Sequence, residues 1–290
     1  MTYLTKEDWD QHYVQKICDD KSFSALITEK IKIQSHFIFL INKLLNPKNN
    51  PNFQSTKLFR ETLFPSLIFF HKYTLSSGTN LSNISRIEKI TLFITCIHLA
   101  LKAVNKLFDL KTVSCCFQSL FNKEGNTKYE IEDIIDLIMD KEFEILCLIQ
   151  FDVNFDSPLR NFNIIKNYLI EKKQNENKIK TIVKYVNMKI CRLIFFPLYL
   201  YFTPNEIKIS SLLLVSEESK FDFVDINEII KMNKVNVDKN NVSECYTLMN
   251  KIIRYLNFLE EKNKKEKNIK NSGVQEKINF GAVATLQSNN

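Results

Sequence analysis

Residues that build tight turns and metal sites are scarce in this chain of 290 residues, which has four glycines, six prolines and four histidines. So few turn formers argue against a sandwich or barrel of short strands. Four glycines also leave no room for the phosphate-cradling loops G-x-x-x-x-G-K-[ST] or G-x-G-x-x-G. The histidines show neither an H-E-x-x-H motif nor metal-ligand spacing. The sequence therefore predicts an all-α protein without a metal, a cofactor or an active site.

Long apolar runs and paired cysteines are also lacking. The seven cysteines form no C-x-x-C motif, and Cys96, Cys147 and Cys191 lie in apolar helical stretches, which predicts reduced thiols buried as small core residues. Residues 1–20 are polar, unlike a signal peptide, and the strongest apolar run, 193–202, is too short to span a bilayer. We expect a soluble nuclear or cytoplasmic protein without a membrane partner.

The net charge of +7 is concentrated at the C-terminal end. Residues 261–290 are rich in lysine and asparagine, which favours a solvated, disordered tail over a nucleic-acid site. Direct binding of nucleic acid is therefore not expected.

The most apolar segment, 85–104, predicts a helix in the middle of a helical domain. Isoleucines and a leucine recur every three or four residues, and further apolar residues fill the other faces. Ser85 and Glu88 form a capping box at the start, and Lys102 stands at the end, where the helix dipole favours a cation. His98, on the same helix, is expected to be a hydrogen-bonded structural residue.

Helical periodicity repeats along the chain as five helices, a break, and five more, which suggests a duplicated unit. Pro65 should kink its helix or mark its first turn, and Thr127 with Glu130 should cap the fifth helix. Asp133, Asp136 and Asp140 are interpreted as the solvated face of that helix. The predicted helices are 24–45, 55–75, 85–104, 109–121, 127–150, 159–172, 179–202, 203–216, 226–232 and 243–260. The predicted domains are a flanking helix in 1–23, five-helix units in 24–157 and 158–260, and the tail.

Three segments, in this order, resemble the cyclin family. Leu99-Ala100-Leu101-Lys102 resembles the end of the third helix of the first cyclin box. Glu142, Ile145-Leu146, Phe151-Asp152-Val153 and Pro158 follow the family's register for the fifth helix and its exit, whereas Glu144 is out of register by two. The segment 198–216, with its Thr-Pro-Asn-Glu string, resembles the start of the third helix of the second box.

The resemblance implies two tandem five-helix cyclin boxes and a non-catalytic subunit that binds and activates a cyclin-dependent kinase. In the family, the lysine and glutamate that match Lys102 and Glu142 bridge the third and fifth helices and bind near the kinase's αC helix. Positions matching Leu146 and Val153 also touch the kinase. Ala103 follows the lysine where relatives usually have a larger residue, which implies a smaller contact area there.

The resemblance favours the cyclin H and cyclin C branch, because the substrate-docking stretch of cell-cycle cyclins has no counterpart here. The Tyr-Phe-Thr-Pro-Asn-Glu-Ile string favours a cyclin H type, with a role in kinase activation or RNA polymerase II tail phosphorylation and a third assembly subunit as a further partner. Three alternatives remain open: a cyclin C-type transcriptional cyclin, a core like transcription factor IIB that binds DNA and a general factor, and a helical scaffold without a kinase.

Overall fold

The computed structural model describes residues 20–45, 56–106, 108–122, 128–153, 156–219 and 224–270, and these ranges are all-α. Of the predicted flanking segment 1–23, residues 1–19 lie outside these ranges. The helices are α1 (Asp20–Leu44), α2 (Thr56–Ser77), α3 (Arg86–Ala103), α4 (Leu110–Phe121), α5 (Ile131–Leu148), α6 (Asn163–Glu171), α7 (Glu176–Leu193), α8 (Pro204–Ser219), α9 (Ile226–Asn233) and α10 (Lys239–Lys270), with a 3₁₀ turn at Pro197–Leu200.

The chain divides into two compact units after Phe155. The first unit contains α2 to α5 and most of α1, and the second contains α6 to α10, with residues 20–27 of α1 grouped with it. None of the helices in the described ranges is long and apolar enough to cross a membrane.

In the first unit, α3 is the central helix. Every residue from Thr91 to Leu101 is buried, because α2, α4 and α5 all pack against α3. The Phe93 ring stacks on Phe70 at 5.2 Å between centroids and meets Phe37 edge-on at 4.9 Å. The predicted capping box is present, with Ser85 Oγ accepting from the Glu88 amide at 3.2 Å and Glu88 Oε2 accepting from the Ser85 amide at 2.8 Å.

In the second unit, α8 has the corresponding central place, with α6, α7 and α10 packed against it. Thr203 caps the helix and Pro204 is its first residue, as predicted. The carboxylate of Glu206 is buried but satisfied: Oε2 accepts from the Thr203 amide at 2.7 Å, and Oε1 accepts from the Asn241 side chain at 3.2 Å. The cap therefore also ties the start of α8 to α10.

Pro65 and Pro197, which lie inside predicted helices, affect those helices differently. Pro65 lies inside α2, which runs on without a break; the expectation that it marks the first turn was wrong. The lost backbone hydrogen bond costs stability, but the helix persists because the residues around Pro65 are buried by packing. Pro197 does end a helix, since α7 stops at Leu193 and Pro197 begins the 3₁₀ turn, so the predicted helix of 179–202 was too long.

Three further local predictions need correction. The N-cap of α5 is Glu130, paired with Asp133, instead of Thr127 with Glu130. Cys147 is exposed and Cys191 half-buried, whereas Cys96 is buried as predicted. Finally, α10 continues to Lys270, so residues 261–270 are helical, contrary to the prediction of disorder. Glutamate and lysine four residues apart, as in Glu260 and Lys264, support such an exposed helix. Residues 271–290 lie outside the described ranges.

Candidate functional site

The structure brings Lys102 and Glu142 together. Lys102 Nζ donates to Glu142 Oε1 at 2.6 Å, which links the end of α3 to the middle of α5. The lysine side chain is 41% exposed and the glutamate 14%. The pair therefore lies at the surface of the first unit, with its carboxylate largely shielded from water.

The backbone beyond Lys102 explains why this side chain is held in place. Asn105 adopts the left-handed conformation (φ 55°), and the Lys106 amide donates to the Leu101 carbonyl at 2.9 Å. This is the hydrogen-bond pattern of a Schellman cap, which ends the helix within a few residues. Lys102 consequently lies in the last turn of α3, where the negative end of the helix dipole stabilises its charge.

His98 lies one turn before Lys102 on α3 and also faces Glu142. Its Nε2 is 3.7 Å from Glu142 Oε2, too far for a hydrogen bond. The ring is 2% exposed, and within the described ranges neither of its nitrogens has a hydrogen-bond partner. The prediction of a hydrogen-bonded structural histidine was therefore wrong. Burial, and then the Lys102 charge, lower the pKa of His98, and the Glu142 charge only partly opposes them.

An ion pair holds the segment that leaves α5. Lys72 Nζ donates to Asp152 Oδ2 at 2.9 Å and to the Asp152 carbonyl at 3.3 Å, and both side chains are mostly buried. Gln150 and Phe151 both have positive φ, and the Phe151 amide donates to the Leu146 carbonyl at 2.8 Å. The chain therefore turns sharply after α5. The Asp152 side chain is mostly buried against Lys72 of α2, whereas Phe151 and Val153 are 60% and 37% exposed.

The other predicted site residues lie on the same two elements. Leu146, one turn after Glu142, is half-buried, and Ala103, next to Lys102, is also half-buried. The five residues named from the sequence are thus on α3, on α5 or just after α5. Their contact with a kinase stays a prediction.

Exposed apolar side chains on α5 were not predicted as site residues from the sequence. Phe143 is 66% exposed and Met139, one turn earlier, is 53% exposed. Phe151 belongs to the Phe151-Asp152-Val153 motif but was not predicted as a site residue either. A signal was present, because the core stripe of α5 is Ile134, Ile138 and Ile145, and Met139 and Phe143 lie off that stripe. Exposed large apolar residues off the core face often mark an interaction surface.

Glu144, the residue out of register, has a separate environment. Its carboxylate accepts from Tyr73 Oη on α2 at 2.7 Å and from Lys141 Nζ at 2.5 Å. Burial raises the pKa of Glu144, but these two hydrogen bonds outweigh burial and lower it overall. Glu144 therefore stabilises the packing of α2 on α5, while Glu142 pairs with α3.

The described residues contain no group of three or more His, Cys, Asp or Glu side chains that could hold a metal ion. Asp133, Asp136 and Asp140 are exposed, as predicted, and they line a shallow surface depression together with Lys128, Tyr129 and Leu137. The Lys102–Glu142 site can instead orient a docked segment through charge, with apolar contacts nearby.

The fold and the site together define a class of protein: an all-α chain of two compact units, in which a charged contact joins α3 to α5 at the surface of the first unit. No family model and no curated protein sequence matches the chain. A chain in the crystal structure of the yeast RNA polymerase II CTD kinase CTDK-1 complex is similar over 100% of this chain and 89% of its own, with a TM-score of 0.57 and 15% identity. That likeness shows a shared fold.

Two further solved structures contain a chain that aligns with this one. One is the cryo-EM structure of yeast TFIIK (Kin28/Ccl1/Tfb3), with 15% identity, a TM-score of 0.47, and coverage of 86% of this chain and 96% of that one. The other is the CAK complex of Chaetomium thermophilum bound to ATP-gamma-S, with 13% identity, a TM-score of 0.46, and coverage of 86% and 76%.

Proposed function

We propose that this chain is a cyclin, a regulatory subunit that binds and activates a cyclin-dependent kinase and has no catalytic site of its own. The observation that carries the proposal is the Lys102–Glu142 pair, which joins α3 to α5 at the surface of the first unit. The fold shared with a chain of a kinase complex and the cyclin-like motifs around both residues support it.

The mechanism follows from what a kinase needs from its activator. The αC helix of a kinase carries a glutamate that must pair with the catalytic lysine, so holding that helix inward assembles the active site. Exposed Phe143, Phe151 and Val153 supply apolar contacts for such a helix, and the charged pair fixes its register. Docking therefore activates the partner without any chemistry on this chain.

The finer assignment is a cyclin H-like protein that works in a nuclear kinase complex. Its substrates would be the activation loops of other kinases or the RNA polymerase II tail. The Thr203-Pro204-Asn205-Glu206 start of α8 supports this branch over cyclin C, and the CTD kinase named for the CTDK-1 complex is consistent with such a role. A third assembly subunit is expected to bind the heterodimer. The two cyclin boxes are assigned to 24–157 and 158–260.

The test is co-expression with a panel of cyclin-dependent kinases that includes the kinase of the CTDK-1 complex. One kinase should co-purify and phosphorylate an RNA polymerase II tail peptide. Lys102→Ala and Glu142→Ala should each weaken binding about tenfold, as expected for a central contact. Each should lower the free energy of unfolding by about 1 kcal/mol, since the Lys102 side chain is 41% exposed even though the carboxylate is shielded.

Lys128→Ala is the matched control, because Lys128 forms an exposed ion pair with Glu130 at 2.7 Å in the same unit and should bind normally when mutated. Normal binding by both site variants would reject the site. Failure of every kinase to bind, together with salt-dependent binding of duplex DNA, would reject the cyclin assignment in favour of a nucleic-acid-binding core.

A further inference from the structure

Among the described residues, the α3–α5 contact places a buried histidine ring without a hydrogen-bond partner beside the Glu142 carboxylate. Within the described ranges, both ring nitrogens of His98 are buried without a partner. Glu142 Oε1 accepts from Lys102, and its Oε2 lies 3.7 Å from His98 Nε2. A buried polar group without a partner costs stability, so this arrangement needs an explanation beyond simple packing.

A docked partner would change the surroundings of Glu142. The Glu142 side chain is 14% exposed, so part of it is in contact with solvent in the free protein. A partner docked over Lys102 and Glu142 would exclude that solvent, and a carboxylate buried with one hydrogen bond is costly. The exposed lysine, in contrast, has further N–H groups with which it can bind the partner directly.

We propose that His98 is a positioning residue for Glu142 during docking, with its Nε2–H donating to Oε2 when a partner covers the site. A shift of less than 1 Å closes the distance from 3.7 Å to that of an ordinary hydrogen bond. The neutral imidazole suffices, since one of its nitrogens carries a proton. This inference rests on the proposed function, because it assumes that the partner covers this pair.

His98→Leu should affect the stability of the free chain and its affinity for the kinase in different ways. His98→Leu removes two unpartnered buried nitrogens, so the free energy of unfolding of the free chain should stay equal or rise. The same change should weaken kinase binding about tenfold or more, the value of a hydrogen bond to a charged group. A purely structural histidine would give the reverse, a less stable chain whose folded fraction binds normally.

Two amide substitutions of different length test whether the donor must lie at the position of His98 Nε2. The glutamine amide nitrogen reaches as far as Nε2, so His98→Gln should bind within about threefold of wild type, whereas the shorter His98→Asn should be as weak as His98→Leu. Thr95→Val is the control: Thr95 is buried one turn earlier, and its hydroxyl donates to the Thr91 carbonyl of the same helix at 2.8 Å. It should leave affinity unchanged.

The experiment is titration calorimetry of the full chain against the kinase that binds in the co-expression panel, with chemical denaturation of each variant. In a Glu142→Ala background, His98→Leu should cost no further affinity. Equal affinity of His98→Leu and wild type, or failure of glutamine to rescue, would overturn the role of His98. If Lys102→Ala and Glu142→Ala also bind normally, the docking site itself has failed, so the two failures are distinguishable.

Discussion

At the scale of single residues, two glutamates one helical half-turn apart have different partners. Glu142 pairs with Lys102 on α3, and Glu144 accepts hydrogen bonds from Tyr73 and Lys141. Because the two side chains point to different neighbours, they should also differ in the property that each one controls. Glu142 should control affinity, and Glu144 should control stability.

Glu144→Gln should lower the free energy of unfolding by about 1 kcal/mol, because it weakens two hydrogen bonds to a charged acceptor. It should leave kinase affinity within about twofold of wild type, in contrast to Glu142→Gln. Denaturation and binding titrations of the two variants side by side would decide this. A large loss of affinity for Glu144→Gln alone would show that the register of the motif is shifted by two residues.

At the scale of elements, the exit from α5 depends on α2. Phe151 and Val153 are exposed on either side of Asp152, and Lys72 holds Asp152 through a mostly buried ion pair. The end of α2 therefore fixes the orientation of two apolar side chains that belong to α5 and its exit. Rigid anchors bind better, since less side-chain and loop freedom is lost on docking.

Lys72→Met should loosen this segment, because it removes the ion pair of Asp152 with Lys72 while the Asp152 side chain stays mostly buried. We expect about 1–3 kcal/mol lower stability from the loss of this contact. Kinase binding should weaken about threefold to tenfold, from the freedom regained by Phe151 and Val153. Lys128→Met, at an exposed ion pair, controls for loss of a lysine. Unchanged affinity in a folded Lys72→Met variant would show that the exit segment does not contact the partner.

At the scale of the whole molecule, two buried histidines make stability depend on pH. Burial lowers the pKa of His71, with a smaller effect of Lys30, and burial also lowers the pKa of His98. In the unfolded chain, these histidines bind protons near the ordinary histidine pKa of 6.5. In the folded chain, they bind protons only at a lower pH. Stability from neutral histidines is therefore complete above pH 6.5 and is lost as the pH falls below it.

The unfolding free energy should fall below about pH 6.5 by up to about 1.4 kcal/mol per pH unit for each histidine. The variant His71→Gln/His98→Gln should lose less stability than wild type between about pH 7.5 and 5.5, because glutamine does not titrate. Denaturant melts of both proteins at the two pH values measure the difference. Equal losses would mean that carboxylates, rather than these histidines, control the acid response.

The fold class and the order of the helices followed from the sequence, because periodicity and capping are local. The isoleucine stripe and the Ser85–Glu88 box set α3, and Thr203, Pro204 and Glu206 set the start of α8. The Lys102–Glu142 contact was predicted from family-like motifs, and the structure places the two side chains in contact. Patterns read along one helix were sufficient for the helices and their caps, whereas the contact between α3 and α5 was implied by the family resemblance.

Other features were decided only by tertiary structure, since they depend on neighbours distant in sequence. Pro65 continues α2 because packing outweighs a local backbone cost. The His98 ring lacks hydrogen-bond partners in the described residues, and Lys72 pairs with Asp152, because α3, α2 and the exit of α5 meet in the folded unit. The sequence thus determined which helices form and which charged residues lie at their ends. Packing decided which polar groups have hydrogen-bond partners and which apolar side chains stay exposed.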